Sequence, residues 1–145
     1  MCSIDNNHIS FRDKLLVIDD DKATRLLIKE LMRDTGVTII ETGCGAEAIE
    51  LFKKYCREIF LVILDIRLPV HDGWTLLKEF RQTDPYLPVL VVSAIMPYEL
   101  AIKCEMEGVL LYMSKPFMIE KLIQMIRLYQ DEWAGIFDIE KNSCC

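Results

Sequence analysis

Along this chain, short unbroken apolar runs alternate with longer segments whose apolar residues recur every three or four positions. The runs KLLVI (14–18), VTIIE (37–41), IFLVIL (59–64), LPVLVVSA (87–94) and VLLYM (109–113) read as strands. Between and after them, segments 23–36, 45–56, 73–82, 97–108 and 117–133 carry helical spacing. Leu27, Leu31 and Met32 mark the first of these, and Ala48, Ile49 and Phe52 the second. Gly36 is a helix stop, Pro97 suits a first helical position, and Gly108 closes the segment that Pro97 opens. The run 59–64 is apolar at every position, as a strand covered on both faces requires. Five strand–helix units with short links predict an α/β domain: a doubly wound, five-stranded parallel sheet between two layers of helices.

Sheets of this kind gather ligands at the carboxyl ends of their strands, near the switch in strand order. The polar residues that close the apolar runs are therefore the informative ones. They are Asp19 and Asp20 after the first run, Asp65 after the third, Ser93 after the fourth and Lys115 after the fifth. Two carboxylates about 5 Å apart repel by roughly 3 kcal/mol at an effective dielectric near 20. Three at one point call for a cation, and Mg²⁺ suits them, because it takes oxygen ligands and commonly pairs carboxylates with a phosphoryl group. Asp21, the third acid of the run, is expected at the start of the first helix, where its charge suits the helix dipole.

Asp65 ends the most buried strand and so is held stiffly enough to act as a nucleophile. Phosphoryl transfer to a carboxylate depends on neutralising charge on the phosphoryl oxygens. A cation, the Lys115 ammonium and the Ser93 hydroxyl would supply that. Taken singly, Lys115 reads as a surface charge and Ser93 as a strand-end cap; as a set, the residues have a chemical logic.

The rest of the chain narrows the setting. With 145 residues, 52% hydrophobic and 28% charged, it has room for one domain with a sizeable core. The net charge of -6 argues against direct nucleic-acid binding, which needs a basic face. No apolar run approaches the roughly 18 residues of a membrane span, and the N-terminus shows no secretory pattern, so a cytoplasmic location is expected. The six cysteines are scattered without a CxxC and read as reduced thiols; His8 and His71 stand alone and give no zinc pattern.

The segments LLVIDDD, ILDIRLPVHDG, VVSA and KPF together resemble the response-regulator receiver domain of two-component signalling, over about residues 14–131. GAEAIELF fits its second helix. The resemblance implies a CheY-like, flavodoxin-like (βα)5 fold, with residues 1–13 and 132–145 as extensions or the start of a linker. It implies Asp65 as phospho-acceptor, with Mg²⁺ held by Asp19, Asp20, Asp65 and the backbone carbonyl of Arg67. Ser93 would bond the phosphoryl group, Lys115 would pair with it, and Tyr112 looks like the aromatic switch residue. The Lys115–Pro116 bond is expected to be cis. The implied donor is the phosphohistidine of a histidine kinase or phosphotransfer protein. The chain would catalyse only its own phosphorylation and slow dephosphorylation, and so would not be an enzyme in the ordinary sense.

Two alternatives are set beside this. A haloacid-dehalogenase-like phosphatase would use Asp19 as nucleophile, with Asp21 as its second acid, but Ala23 departs from that pattern and no late acidic pair follows at a strand end. A receiver reduced to a docking module would have lost phosphorylation residues, and all are present. The GCG at 43–45 is too short to signal a phosphate loop. One departure from the family is the run Gly108-Val109-Leu110-Leu111-Tyr112, where leucines replace the usual charge. Leu110, Leu111 and Tyr112 are therefore expected to form an apolar partner surface, for a homodimer or a partner helix, on the face of the fourth helix, fifth strand and fifth helix.

Overall fold

A computed structural model of the protein describes residues 12–143, with side chains through Trp133. Its strands are β1 (Lys14–Ile18), β2 (Thr38–Thr42), β3 (Ile59–Asp65), β4 (Val89–Ser93) and β5 (Leu111–Ser114). The helices are α1 (Lys22–Leu31), α2 (Gly45–Tyr55), α3 (Gly73–Thr83), α4 (Pro97–Met106) and α5 (Ile119–Ser143). The strands form one sheet in the order β2-β1-β3-β4-β5, and every neighbouring pair is parallel. This is the doubly wound architecture expected, with the switch in strand order between β1 and β3.

Strand alternation divides the core into two layers. Leu16, Ile18, Val62, Leu64, Val89 and Val91 face α2, α3 and α4, where Phe52 and Phe80 meet with ring centroids 4.5 Å apart. Leu15, Val17, Ile63, Leu90, Val92 and Met113 face α1 and α5, against Ile28, Leu122 and Ile126. All seven residues of β3 are buried, which accounts for its unbroken apolar sequence.

Three boundaries differ from the expectation, each for a local reason. The first helix stops at Leu31, a full turn before Gly36. Asp34 (φ 62°) and Gly36 (φ 81°) take left-handed conformations there, and the Thr35 hydroxyl donates to the Met32 carbonyl at 2.6 Å. Met32 still buries its side chain, so the apolar period outlasts the helix. β5 begins at Leu111 instead of Val109. Gly108 (φ 69°) ends α4, and the Val109 amide returns to the Cys104 carbonyl at 2.8 Å, so Val109 belongs to the helix cap. α5 runs on to Ser143, past the 133 expected and through the boundary at 131. Of the 1–13 segment, only Arg12 and Asp13 lie within the described residues.

Cys44 and Cys104 are free thiols, but Cys56 is disulfide-bonded, contrary to the expectation for all six. Spacing along a chain does not show which sulfurs meet in space.

Gly73 opens α3 where it crosses the end of β3. A Cβ there would sit 2.6 Å from Ile66 Cα and 3.0 Å from the Asp65 carbonyl oxygen. Those are backbone atoms, which cannot swing aside as a side chain would. Gly73→Ala is therefore expected to destabilise the fold by about 3 kcal/mol in urea denaturation, as a small-to-large change in a packed site does. A denaturation midpoint equal to the wild type's would show that the β3–α3 turn can relax.

Candidate functional site

The carboxyl ends of β1, β3 and β5 bring Asp19, Asp65 and Lys115 together. Asp19 extends the alternation Leu15–Val17, Asp65 extends Leu61–Ile63, and Lys115 extends Leu111–Met113. All three therefore project on the α1/α5 side of the sheet edge. Lys115 Nζ donates to Asp19 Oδ2 at 2.7 Å and to Asp65 Oδ2 at 3.0 Å. Both carboxylates are nearly sealed from solvent, at 2% and 5% exposure. Their other oxygens are bonded as well: Asp19 Oδ1 accepts from the Asp21 amide at 2.9 Å, and Asp65 Oδ1 from the Arg67 amide at 3.0 Å.

Asp20 is exposed beside them, and one oxygen from each of Asp19, Asp20 and Asp65 lies within 4.8 Å of the others. Asp21 is set apart from this group. It caps α1, accepting from the Ala23 amide at 3.1 Å and the Thr24 hydroxyl at 2.7 Å, and these bonds hold its pKa below the usual carboxylate value. The acid run is thus divided as expected, two carboxylates at the site and one on the helix. The donor set is made only of oxygen, is anionic and is half enclosed, which fits a hard divalent cation such as Mg²⁺.

Burial pushes the Asp65 carboxyl above its ordinary pKa, against the opposing pull of the Arg67 amide and Lys115. For Lys115, burial works against the charge, but the bonds to Asp19 and Asp65 outweigh it and its pKa is raised. The site is therefore a tightly bonded ion cluster with more negative than positive charge.

Ser93, fully buried, closes β4 on the other parity, in line with Val89 and Val91, toward α3 and α4. Its Oγ accepts from the Ile95 amide at 3.3 Å. Tyr112 pairs in register with Val91 and shares that face, with 40% of its surface exposed. Arg67 lies exposed in the β3–α3 loop, and the Lys115–Pro116 bond is cis.

The expected partner surface needs one correction. Leu110, just before β5, is 90% exposed, but Leu111, the first residue of β5, packs on the core layer beneath α1 and α5. Three residues not singled out in the sequence join Leu110 and Tyr112 instead: Tyr98, Ile102 and Met106, exposed at i, i+4 and i+8 along α4. Their spacing was a readable signal, but α4 also buries Leu100 and Cys104 on its opposite side. With apolar residues on both sides, its pattern does not reveal which face is inside. Tyr98, Ala101, Ile102, Glu105 and Tyr112 border a groove of about 380 Å³ on this face.

The glycines of GCG also find a reason. A Cβ on Gly43 would lie 2.9 Å from Arg25 Nη1 and 3.3 Å from the Asp19 carbonyl oxygen, and one on Gly45 would strike the His71 ring at 2.5 Å. They permit close approach of Arg25 and His71.

Comparison with known proteins agrees with this geometry. The family described as response regulator receiver domain matches residues 15–127. The chain is 30% identical over 114 residues to the chemotaxis protein CheY of Bacillus subtilis, covering 78% of this chain and 93% of that one. It is 31% identical over 110 residues to the DNA-binding transcriptional regulator NtrC of Escherichia coli, covering 76% of this chain but only 23% of NtrC's length. Among solved structures, the receiver domain of the Francisella response regulator 1452 superposes with a TM-score of 0.74 at 30% identity, covering 83% of this chain and 98% of that one. CheY of Borrelia burgdorferi, solved with CheX, beryllofluoride and Mg²⁺, gives 0.70 at 29% identity, covering 83% and 90%. Sheet order, acid cluster and sequence matches agree that this chain belongs to the response-regulator receiver domain family of two-component systems.

Proposed function

We propose that the chain receives a phosphoryl group on Asp65 from the phosphohistidine of a histidine kinase or histidine phosphotransfer protein. The phosphorus–nitrogen bond of the donor breaks, the imidazole keeps the electron pair, and a carboxylate oxygen of Asp65 forms the new bond. Asp19, Asp20, Asp65 and the Arg67 carbonyl would hold Mg²⁺, which neutralises charge on the phosphoryl oxygens when bound. The observation that carries this reading is Lys115 bonded to both Asp19 and Asp65, an ammonium held where a phosphoryl group on Asp65 would need a counter-charge. The chain acts as a switch and not as a turnover catalyst, its only chemistry being its own phosphorylation and slow hydrolysis. Among the described residues no helix is long and apolar enough to cross a membrane.

Incubation with acetyl phosphate and Mg²⁺, followed by peptide mapping, tests the reading. A label on Asp65 is expected; a label on Asp19 would favour a phosphatase-type nucleophile and overturn it.

The output is the α4–β5 face. Ser93 and Tyr112 lie on one side of the sheet, so a Ser93 hydroxyl drawn toward the phosphoryl group would open space for Tyr112 to turn inward and reshape the groove beside Ile102. A second copy of this chain or a partner helix would bind there. Two variants separate these steps. Ser93→Ala should still take up phosphoryl groups but leave the Tyr112 environment unchanged on activation. Leu110→Asp should be phosphorylated normally and lose association on sedimentation with beryllofluoride. Loss of phosphate uptake in Ser93→Ala would mean that the hydroxyl serves the chemistry and not the relay.

A further inference from the structure

Each carboxylate at the site is aimed by something, and for Asp20 that something is not its own side-chain bonding. Asp19 and Asp65 are pinned by backbone amides and by Lys115. The Asp20 carboxylate makes no hydrogen bond or ion pair among the described residues. Its direction follows from the Asp19–Asp20 peptide, and that peptide is gripped from behind.

Arg25, in the first turn of α1, reaches back over the loop and donates from Nη1 to the Asp19 carbonyl at 2.6 Å. This is a short bond from a charged donor, of the stronger class. The head group is in turn flanked by Glu41 of β2, with Nε 3.6 Å from Oε1 and Lys29 Nζ 3.2 Å from Oε2, ion-pair contacts in which neither Arg25 Nε nor Glu41 Oε2 makes a hydrogen bond among the described residues. The Arg25 side chain is only 16% exposed and Glu41's is 26%, so this pairing is sheltered from solvent. Gly43 leaves the guanidinium room, since a Cβ there would lie 2.9 Å from Arg25 Nη1.

We propose that Arg25, braced by Glu41, is a positioning residue for the divalent-cation site: by fixing the Asp19–Asp20 peptide it holds the exposed Asp20 carboxylate toward Asp19 and Asp65. This rests on the reading of the three aspartates as cation ligands. The plainer role for Arg25 is to satisfy a carbonyl just beyond the end of the β1 ladder, which would affect stability alone.

Calorimetric titration of the unphosphorylated protein with Mg²⁺, paired with urea denaturation with and without Mg²⁺, separates the two. Arg25→Met, which keeps the bulk, is expected to raise the Mg²⁺ dissociation constant about tenfold, as loss of an outer partner commonly does. Arg25→Lys should recover part of that, since an ammonium can reach the carbonyl but cannot span to Glu41. Glu41→Gln should weaken binding in the same direction, and the Arg25→Met/Glu41→Gln double variant should be no worse than Arg25→Met alone. If Arg25→Met folds poorly, the Lys and Gln variants carry the test. An unchanged dissociation constant, with stability lowered equally in both conditions, would overturn the proposal. Asp20→Asn tells the two failures apart. Weaker Mg²⁺ binding in Asp20→Asn but not in Arg25→Met removes Arg25 alone; unaltered binding in Asp20→Asn removes the cation site and the proposal with it.

Discussion

Replacing Asp65 with Asn should abolish phosphorylation by acetyl phosphate or a phosphorylated kinase while making the Mg²⁺-free protein more stable at neutral pH. The first effect follows because an amide oxygen is a poor nucleophile, and among the described residues no other carboxylate sits at the end of a fully buried strand. The second follows from burial. The native Asp65 pKa lies above its unfolded value, so folding takes up a proton. Wild-type stability should then fall as pH rises through the interval between the two values and stay lower above it. The Asn variant has no such decline. Its advantage should be seen in urea denaturation at pH 7, shrink in acid, and be reversed by Mg²⁺, which binds the native wild type more tightly. Labelling of Asp65→Asn at the wild-type level would end the assignment, and a stability difference independent of pH would show that burial of charge is not its cause.

Lys115→Met is the second large effect. Lys115 is bonded to two buried carboxylates, and its removal leaves both without a counter-charge. Without Mg²⁺ at pH 7 the expected loss is about 4 kcal/mol, typical of breaking a buried pair by deleting one partner. Because its folded pKa is raised, the stability that Lys115 contributes is fully present below the unfolded lysine value and is lost only as pH rises through the folded one. The deficit should therefore be clear throughout the neutral range and narrow in acid as Asp65 takes a proton. Mg²⁺ should restore much of the stability but not phosphoryl transfer, since the ammonium beside Asp65 would still be missing. Melting curves with and without Mg²⁺ test this; a loss that Mg²⁺ leaves untouched would place the role of Lys115 in packing.

Both variants act on residues that were legible before any fold was known. Asp19, Asp65 and Lys115 follow short apolar runs, and in a parallel sheet that alone brings them to one edge. Less legible was whatever depends on which side of a strand or helix faces inward. Leu110 and Leu111 are the same residue type in adjacent positions, and only the start of β5 decides that one is bare and the other packed. Arg25 shows a different limit. Its Asp19 contact lies six residues back along the chain, but Glu41 becomes its neighbour only through β1–β2 pairing, whereas Arg33 makes an exposed ion pair with Glu30. Gly43 and Gly73 were visible as glycines, yet the atoms that exclude a side chain there come from distant segments.

The two-sided core has a consequence for how a signal would travel. Asp19, Asp65 and Lys115 follow the parity of one layer, while Ser93 and Tyr112 follow that of the other. Between the layers stands a closely packed sheet of low compressibility, which passes strain on instead of absorbing it. On the reading of Asp65 as phospho-acceptor, a change there would reach the Tyr112 face both through the β3–β4 ladder and at the rim, where Ser93 ends β4. Packing substitutions in β3 and β4 would then weaken the coupling between Asp65 and Tyr112 as well as the fold, and not stability alone.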